Sequence, residues 1–260
     1  MMLCVGQCDR DLVPNLANIQ SPLLVVGCGR TASTYVQQRL QYGQGSFQSV
    51  IENDVYRDVW SALTDRWWTP NLQHVAAPKQ CRVAVIDATR QALLTMFPSD
   101  RPHWVMKMIW SNHDPDVVRQ LFPNARFLHM VRDPRTNIPS MMERLQFGQR
   151  HAETAYIEAN ECALQFEQFG DRYLRVRQED FVLRREVTWS RLCAFVNEPK
   201  TDACWNREVN PSASTKGSVV SMRSDSRLRW HKLRKATRAC AERLGYAQEC
   251  ATAIPIDRQA

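Results

Sequence analysis

The sequence lacks several features that would direct a functional reading. Nine cysteines lie among 260 residues, but no two form a Cys-x-x-Cys pair and none clusters with histidine. Neither a zinc site nor a dithiol redox centre is therefore expected. The odd count and irregular spacing fit reduced thiols in a cytoplasmic protein. No window approaches the ~18 consecutive apolar residues that a membrane-spanning helix needs. The opening stretch MMLCVGQCDRDLVPNLANIQ has no basic start running into an apolar segment, and reads as an irregular lead-in rather than a secretory signal. There is no internal repeat and no low-complexity tract.

What is present suffices for one packed domain. Apolar residues make up 44% of the chain, and a chain of this length buries a sizeable core. We expect residues 1–20 to form the lead-in, 21–250 a single domain and 251–260 a tail. Lysine and arginine number 34 against 27 acidic residues, a net charge of +7. That balance suits an anionic ligand, a nucleic acid or a membrane surface without choosing among them. The richest basic stretch, Arg223 to Arg238, carries no nucleic-acid-binding signature and reads as a solvated helix face, so no nucleic-acid partner is expected.

The pattern alternates short apolar runs with helical segments. LLVVG at Leu23–Gly27 reads as a buried strand, followed by a helix from Ser33 to about Tyr42 with Ser33 as its cap. Further strands are expected at Ser49–Asn53, His103–Met108, Arg126–Val131 and Tyr173–Asp180. Helices are expected at Asp87–Met96, Pro115–Leu121 with Asp114 as cap, Arg135–Phe147, Glu153–Phe169, Glu186–Val196 and His231–Leu244. Such alternation implies an α/β fold with a mostly parallel sheet covered by helices on both faces. In these sheets ligands sit beyond the carboxyl ends of the strands.

Two segments fall at such ends. In VVGCGRTASTY the first strand runs into a glycine-bearing turn and then a helix. Backbone N–H groups at such a helix start, with the helix dipole, favour an anion. Arg30, Thr31, Ser33 and Thr34 add cationic and hydroxyl donors, although a strand–turn–helix with a good cap would look the same. A nucleotide P-loop would carry lysine in this loop, and none is present. The second segment, RFLHMVRDPRTNIPS, places Arg132 at a strand end and Ser140 eight residues later on the next helix. A guanidinium and a hydroxyl so placed can converge on one phosphate. The plainer reading is a charged turn with Asp133 capping the helix.

Taken in order, the two segments resemble the sulfotransferases that use 3′-phosphoadenosine 5′-phosphosulfate (PAPS). Arg30-Thr31-Ala32-Ser33-Thr34 looks like their 5′-phosphosulfate loop, with Ala32 where glycine is usual, and Tyr35 stands where cytosolic members place an adenine-stacking tryptophan. Arg132 and Ser140 match the residues that hold the 3′-phosphate. YLRVRQEDF resembles a family strand ending in Tyr-Glu-Asp, with Gln178 in place of tyrosine, and TWSRLCAFVN resembles the helix that follows. In the C-terminal region, Lys216 and Gly217 are expected to close over the nucleotide. The resemblance spans about Leu23 to Tyr246. It implies a P-loop-like sulfotransferase fold, PAPS as donor, 3′-phosphoadenosine 5′-phosphate (PAP) as product and no metal.

The resemblance also frames the catalytic groups. Cytosolic members carry Lys-Thr-His near the end of the third strand; here Lys107 is followed by Met108 and Ile109, so that histidine is missing. Another branch uses a glutamate about 20 residues beyond the loop arginine, and Glu52 lies 22 residues after Arg30. Glu52 is therefore the expected base, with Arg30 and Lys107 stabilising the transferring group. Asp87, His113 and Glu179 are next in line, although Glu179 and Asp180 better suit orienting basic residues or capping a helix. Trp60, Trp67 and Trp68 either line an acceptor pocket or pack in the core. The acceptor is expected to bear a hydroxyl on a carbohydrate, a glycolipid, a small natural product or a tyrosine. The competing readings are a P-loop-type small-molecule kinase and a non-catalytic nucleotide-binding relative.

Overall fold

A computed structural model of the chain describes residues 21–41, 46–50, 78–96, 101, 103–109, 115–199 and 228–247. Its described strands are β1 (Leu23–Gly27), β2 (Phe47–Val50), β3 (His103–Ile109), β4 (Arg126–Val131) and β5 (Tyr173–Arg177). They form one sheet in the order β2-β3-β1-β4-β5, and every pairing is parallel. The helices are α1 (Ser33–Arg39), α2 (Pro78–Met96), α3 (Pro115–Leu121), α4 (Pro134–Leu145), α5 (Gln149–Leu164), α6 (Gln178–Leu183), α7 (Arg185–Phe195) and α8 (Lys235–Arg243).

The two-residue period of the strands sorts their side chains into two cores. Leu24, Val26, Trp104, Met106, Met108 and Phe127 face α2, α3 and the end of α5, packing on Leu93, Val118, Leu121 and Phe166. Leu23, Val25, Val105, Leu128, Met130 and Val176 face the other way, onto Val36 and Leu40 of the α1 segment and Trp189 and Leu192 of α7. Burial on both faces explains why the strands read as continuous apolar runs. A third cluster lies beyond the carboxyl edge, where Ile138 and Met141 of α4, Tyr156 of α5 and Cys240 of α8 surround Cys28 and Val131.

The topology fixes where a ligand sits. Leaving β1, the chain passes over β3 to the edge strand β2; leaving β4, it goes the opposite way to β5. β1 and β4 are neighbours, so their carboxyl ends flank the switch point, the usual binding crevice of such sheets. Gly27 makes this approach possible. Its φ is +113°, and a Cβ there would lie 2.7 Å from the Met130 carbonyl and 2.8 Å from the His129 ring.

Several boundaries differ from the sequence reading. The last strand stops at Arg177, and Gln178, Glu179 and Asp180 open α6 instead. Two carboxylates suit a first helical turn, where the dipole favours negative charge. β2 begins two residues early, at Phe47. The helix expected from Asp87 begins at Pro78. The helix expected to end at Phe169 passes into a 3-10 turn at Gln165. The cap of α1 is Ala32, not Ser33. Glu52, Trp60, Trp67, Trp68, His113, Asp114, Lys216 and Gly217 lie outside the described residues. No helix among the described residues is long and apolar enough to cross a membrane. The described cysteines, Cys28, Cys162, Cys193 and Cys240, are buried free thiols.

Candidate active site

The turn after β1 has an unusual backbone. Arg30 and Ala32 both have φ of +65°, while Thr31 between them does not. Non-glycine residues in this region carry strain and concentrate at functional sites. Such alternation is also the geometry in which successive N–H groups line a concavity that takes anions.

Three donors satisfy the carbonyls of this turn. The Thr31 hydroxyl donates to the Cys28 carbonyl at 2.9 Å, and Asn137 Nδ2 donates to the Gly29 carbonyl at 3.0 Å. Arg132 Nη1 donates to the Arg30 carbonyl at 3.0 Å. In a trans peptide the N–H points opposite to the C=O. Turning three successive carbonyls onto these donors therefore turns the N–H groups of Gly29, Arg30 and Thr31 the other way.

The cations gather at the same place. Arg30 Nε donates to Ser140 Oγ at 3.4 Å, tying the β1 turn to α4, and Arg132 Nε donates to Thr136 Oγ1 at 3.1 Å. Burial pulls the Arg132 pKa below its usual value. The Glu179 carboxylate opposes that fall and the neighbouring Arg30 guanidinium adds to it. Two guanidiniums side by side repel, and an anion between them relieves the repulsion. Lys107, 3% exposed, reaches across from β3 and donates from Nζ to Thr34 Oγ1 at 2.9 Å. Ser33 is buried in the first turn of α1. Tyr35 meets the Phe181 ring edge-on with 6.2 Å between centroids, and the Arg39 guanidinium lies over it.

The two arginines of Arg132-Asp133-Pro134-Arg135 have different surroundings. Asp133 caps α4 by accepting from the Arg135 backbone N–H, so the capping read from sequence holds without displacing Arg132. Arg135 is turned away, paired with the Asp133 carboxylate and lying over the Trp230 ring. Its carbonyl accepts from Leu228 N at 3.0 Å. That acceptor is available because Pro139, four residues on, has no N–H to complete the helical bond. The returning C-terminal segment is thereby attached beside the turn.

Of the residues expected at the site, the fold brings Arg30, Arg132 and Ser140 together and sets Lys107 against Thr34 on the helix that follows the turn. Thr31 is in the turn, but its fully buried hydroxyl faces the protein. The reading missed Thr136, Asn137 and Tyr156. Tyr156 donates its hydroxyl to the Arg132 carbonyl at 3.2 Å. Thr136 and Asn137, four and five residues after Arg132, were visible as polar residues on the first turn of the following helix. Nothing local marked Tyr156. Among the described residues no group of histidine, cysteine and carboxylate side chains could hold a metal ion.

Comparison with known proteins concerns the fold and the family. Among solved structures, the fold is similar to the sulfotransferase domain of the olefin synthase from Synechococcus PCC 7002. The two share 19% identity with a TM-score of 0.62, over 90% of this chain and 96% of that one. It is also similar to the sulfotransferase domain from the curacin biosynthetic pathway, at 18% identity and a TM-score of 0.61, over 87% of this chain and 98% of that one. At such identities the likeness concerns the fold. No curated protein matches the sequence. Residues 22–202 match the family model described as the Sulfotransferase family, and with that span, well over half of its length, the chain belongs to the sulfotransferase family.

Proposed function

We propose that the chain transfers a sulfuryl group from PAPS to an acceptor hydroxyl and releases PAP. The observation that supports this best is the turn after β1, whose carbonyls at Cys28, Gly29 and Arg30 all accept from donors within the protein. The N–H groups of this turn, with Arg30, Ser33 and Thr34, are assigned to the 5′-phosphosulfate. Arg132 and Ser140 take the 3′-phosphate, and Tyr35 takes the adenine face. Lys216 and Gly217 close over the nucleotide.

The donor supplies an activated sulfur, and transfer breaks its bond to the 5′-phosphate oxygen while a bond to the acceptor oxygen forms. Negative charge then gathers on the departing phosphate. Lys107 and Arg30 act there as fixed cations, and such preorganised charge is the main way a protein lowers a barrier of this kind. The acceptor proton passes to a base, for which we propose Glu52. The acceptor is a hydroxyl-bearing carbohydrate, glycolipid, natural product or tyrosine.

The test is calorimetric titration with PAP, alongside transfer from labelled PAPS to pooled acceptors followed by mass spectrometry. Tight PAP binding and a sulfate mass increment are expected. Binding of ATP with magnesium in preference to PAP would favour a kinase. PAP binding with no transfer to any acceptor would leave a nucleotide-binding relative.

A further inference from the structure

The peptide unit joining Arg132 to Asp133 is held at both ends by side chains. Its carbonyl, on Arg132, accepts from Tyr156 of α5 at 3.2 Å. Its N–H, on Asp133, donates to Glu179 Oε1 of α6 at 3.0 Å. Glu179 is itself fixed, since its Oε2 accepts from the Tyr246 hydroxyl at 2.9 Å. Tyr246 is 4% exposed and lies beneath the Arg177 guanidinium, 4.9 Å from its ring centroid. Arg177 Nη2 also donates to the Gly245 carbonyl at 2.5 Å. Gly245 has φ of +85°, and a Cβ there would come within 2.4 Å of Arg177. Gly245 and Tyr246 are thus bolted to β5, and Tyr246 reaches the β4–α4 turn through the Glu179 carboxylate.

We propose that Glu179 and Tyr246 are positioning residues for Arg132: together with Tyr156 they clamp the Arg132–Asp133 peptide and so aim the Arg132 guanidinium at the 3′-phosphate. This deepens the proposed function and rests on its assignment of Arg132. Fixing the peptide plane sets ψ of Arg132 and so the direction in which its Cα–Cβ bond leaves the strand, and the bonds to Arg30 and Thr136 then hold the guanidinium at the far end of the side chain. Glu179 also sets a carboxylate near a half-buried cation without pairing with it directly, leaving the guanidinium's donors for Arg30, Thr136 and a ligand.

Two measurements on the full chain test this. The first titrates wild type, Tyr246→Phe, Glu179→Ala and Glu179→Gln with PAP and with adenosine 5′-monophosphate, which lacks the 3′-phosphate. Tyr246→Phe and Glu179→Ala should weaken PAP about tenfold, as for one lost hydrogen bond, and weaken the monophosphate less than about twofold. Glu179→Gln keeps an acceptor for the Asp133 N–H and should recover most of the PAP affinity. Equal losses for both nucleotides, or no loss, would overturn the positioning role. The second follows hydrogen exchange at the Asp133 amide by NMR, with the β4 amides as internal reference. Faster exchange at Asp133 alone in Glu179→Ala supports the clamp, and unchanged protection overturns it. If wild type binds neither nucleotide, the proposed function fails, and the exchange result still decides the clamp.

Discussion

Arg132 Nη1 donates to the backbone carbonyl of Arg30 at 3.0 Å, so the arginine from the end of β4 shapes the turn after β1 as well as facing the same crevice. Arg132→Ala should therefore weaken PAP binding by about 100-fold, near 3 kcal/mol, the scale for losing a multidentate charged contact. Arg132→Lys keeps the charge but not the planar fork that reaches Arg30 and Thr136 at once. Its affinity should fall closer to that of alanine than of wild type. Titration calorimetry reads both, and a lysine variant that binds like wild type would count against the fork.

Ala32 caps α1 with φ of +65° and ψ of +18°. A side chain in this left-handed region costs about 1–2 kcal/mol. Glycine removes that cost but loses about 0.5–1 kcal/mol through the greater freedom of the unfolded chain. Ala32→Gly should accordingly stabilise the fold by roughly 0.5–1 kcal/mol and raise Tm by about 2 °C. A thermal melt checks this; a lower Tm would mean that the methyl group makes compensating contacts.

Where the sequence was legible, the reason was local. Leu23–Gly27 and Arg126–Val131 matched strands to the residue, because strands buried on both faces are mostly apolar, with Arg126 and His129 the polar members of the second. Arg132 and Ser140 could be paired because one strand end and two helical turns fix their separation. The end of β5 was not legible: Arg177, Gln178 and Glu179 alternate in no way that marks where extended backbone stops. The cap of α1 misled for a related reason. Ser33 is the residue type that favours a cap, but the strained turn puts the left-handed residue one place earlier. Tyr156, Glu179 and Tyr246 meet at the Arg132–Asp133 peptide from three elements, and no spacing along the chain encodes such a meeting. The role of Pro139 emerges only once Leu228 is seen at the Arg135 carbonyl.

Stability should fall in mild acid because of His129. Asn160 Nδ2 donates to the Tyr156 carbonyl, so Asn160 Oδ1 accepts from His129 Nε2 at 3.0 Å, and Nδ1 accepts from the Tyr173 hydroxyl at 2.7 Å. The ring is neutral and fully buried. Burial lowers its pKa to about 4, against a hydrogen bond to Asn160 that favours the charged form and with help from nearby Arg175. The unfolded chain binds this proton below about 6.5 and the folded chain does not, so stability is complete above that pH. It declines towards pH 4 by about 3 kcal/mol. Glu179 acts oppositely, since burial raises its pKa and its contribution declines as pH rises. Urea midpoints at pH 7 and 5 for wild type and His129→Gln separate the two. The variant should lose less stability between these pH values, and equal losses would refute the assignment.

The catalytic groups should separate chemistry from binding. Glu52→Gln keeps size and polarity but cannot take a proton, so turnover should fall by about 100-fold or more, with PAP affinity unchanged. Lys107 differs because it also supports the loop: its ammonium donates to Thr34 Oγ1 from within the sheet. Lys107→Met removes the charge and that bond together. Turnover should fall by about 100-fold, as for loss of a charge-stabilising donor, and PAP affinity by about tenfold, as for one hydrogen bond. Turnover comes from single-turnover assays with saturating PAPS, and affinity from calorimetry. Normal turnover in Glu52→Gln would remove it as base and pass the role to His113, since Asp87 is exposed and paired with Arg90 and both Glu179 oxygens are held by Asp133 and Tyr246. If Lys107→Met lowered affinity alone, the ammonium would hold the ground state and not the developing charge, leaving Arg30 to stabilise the departing phosphate.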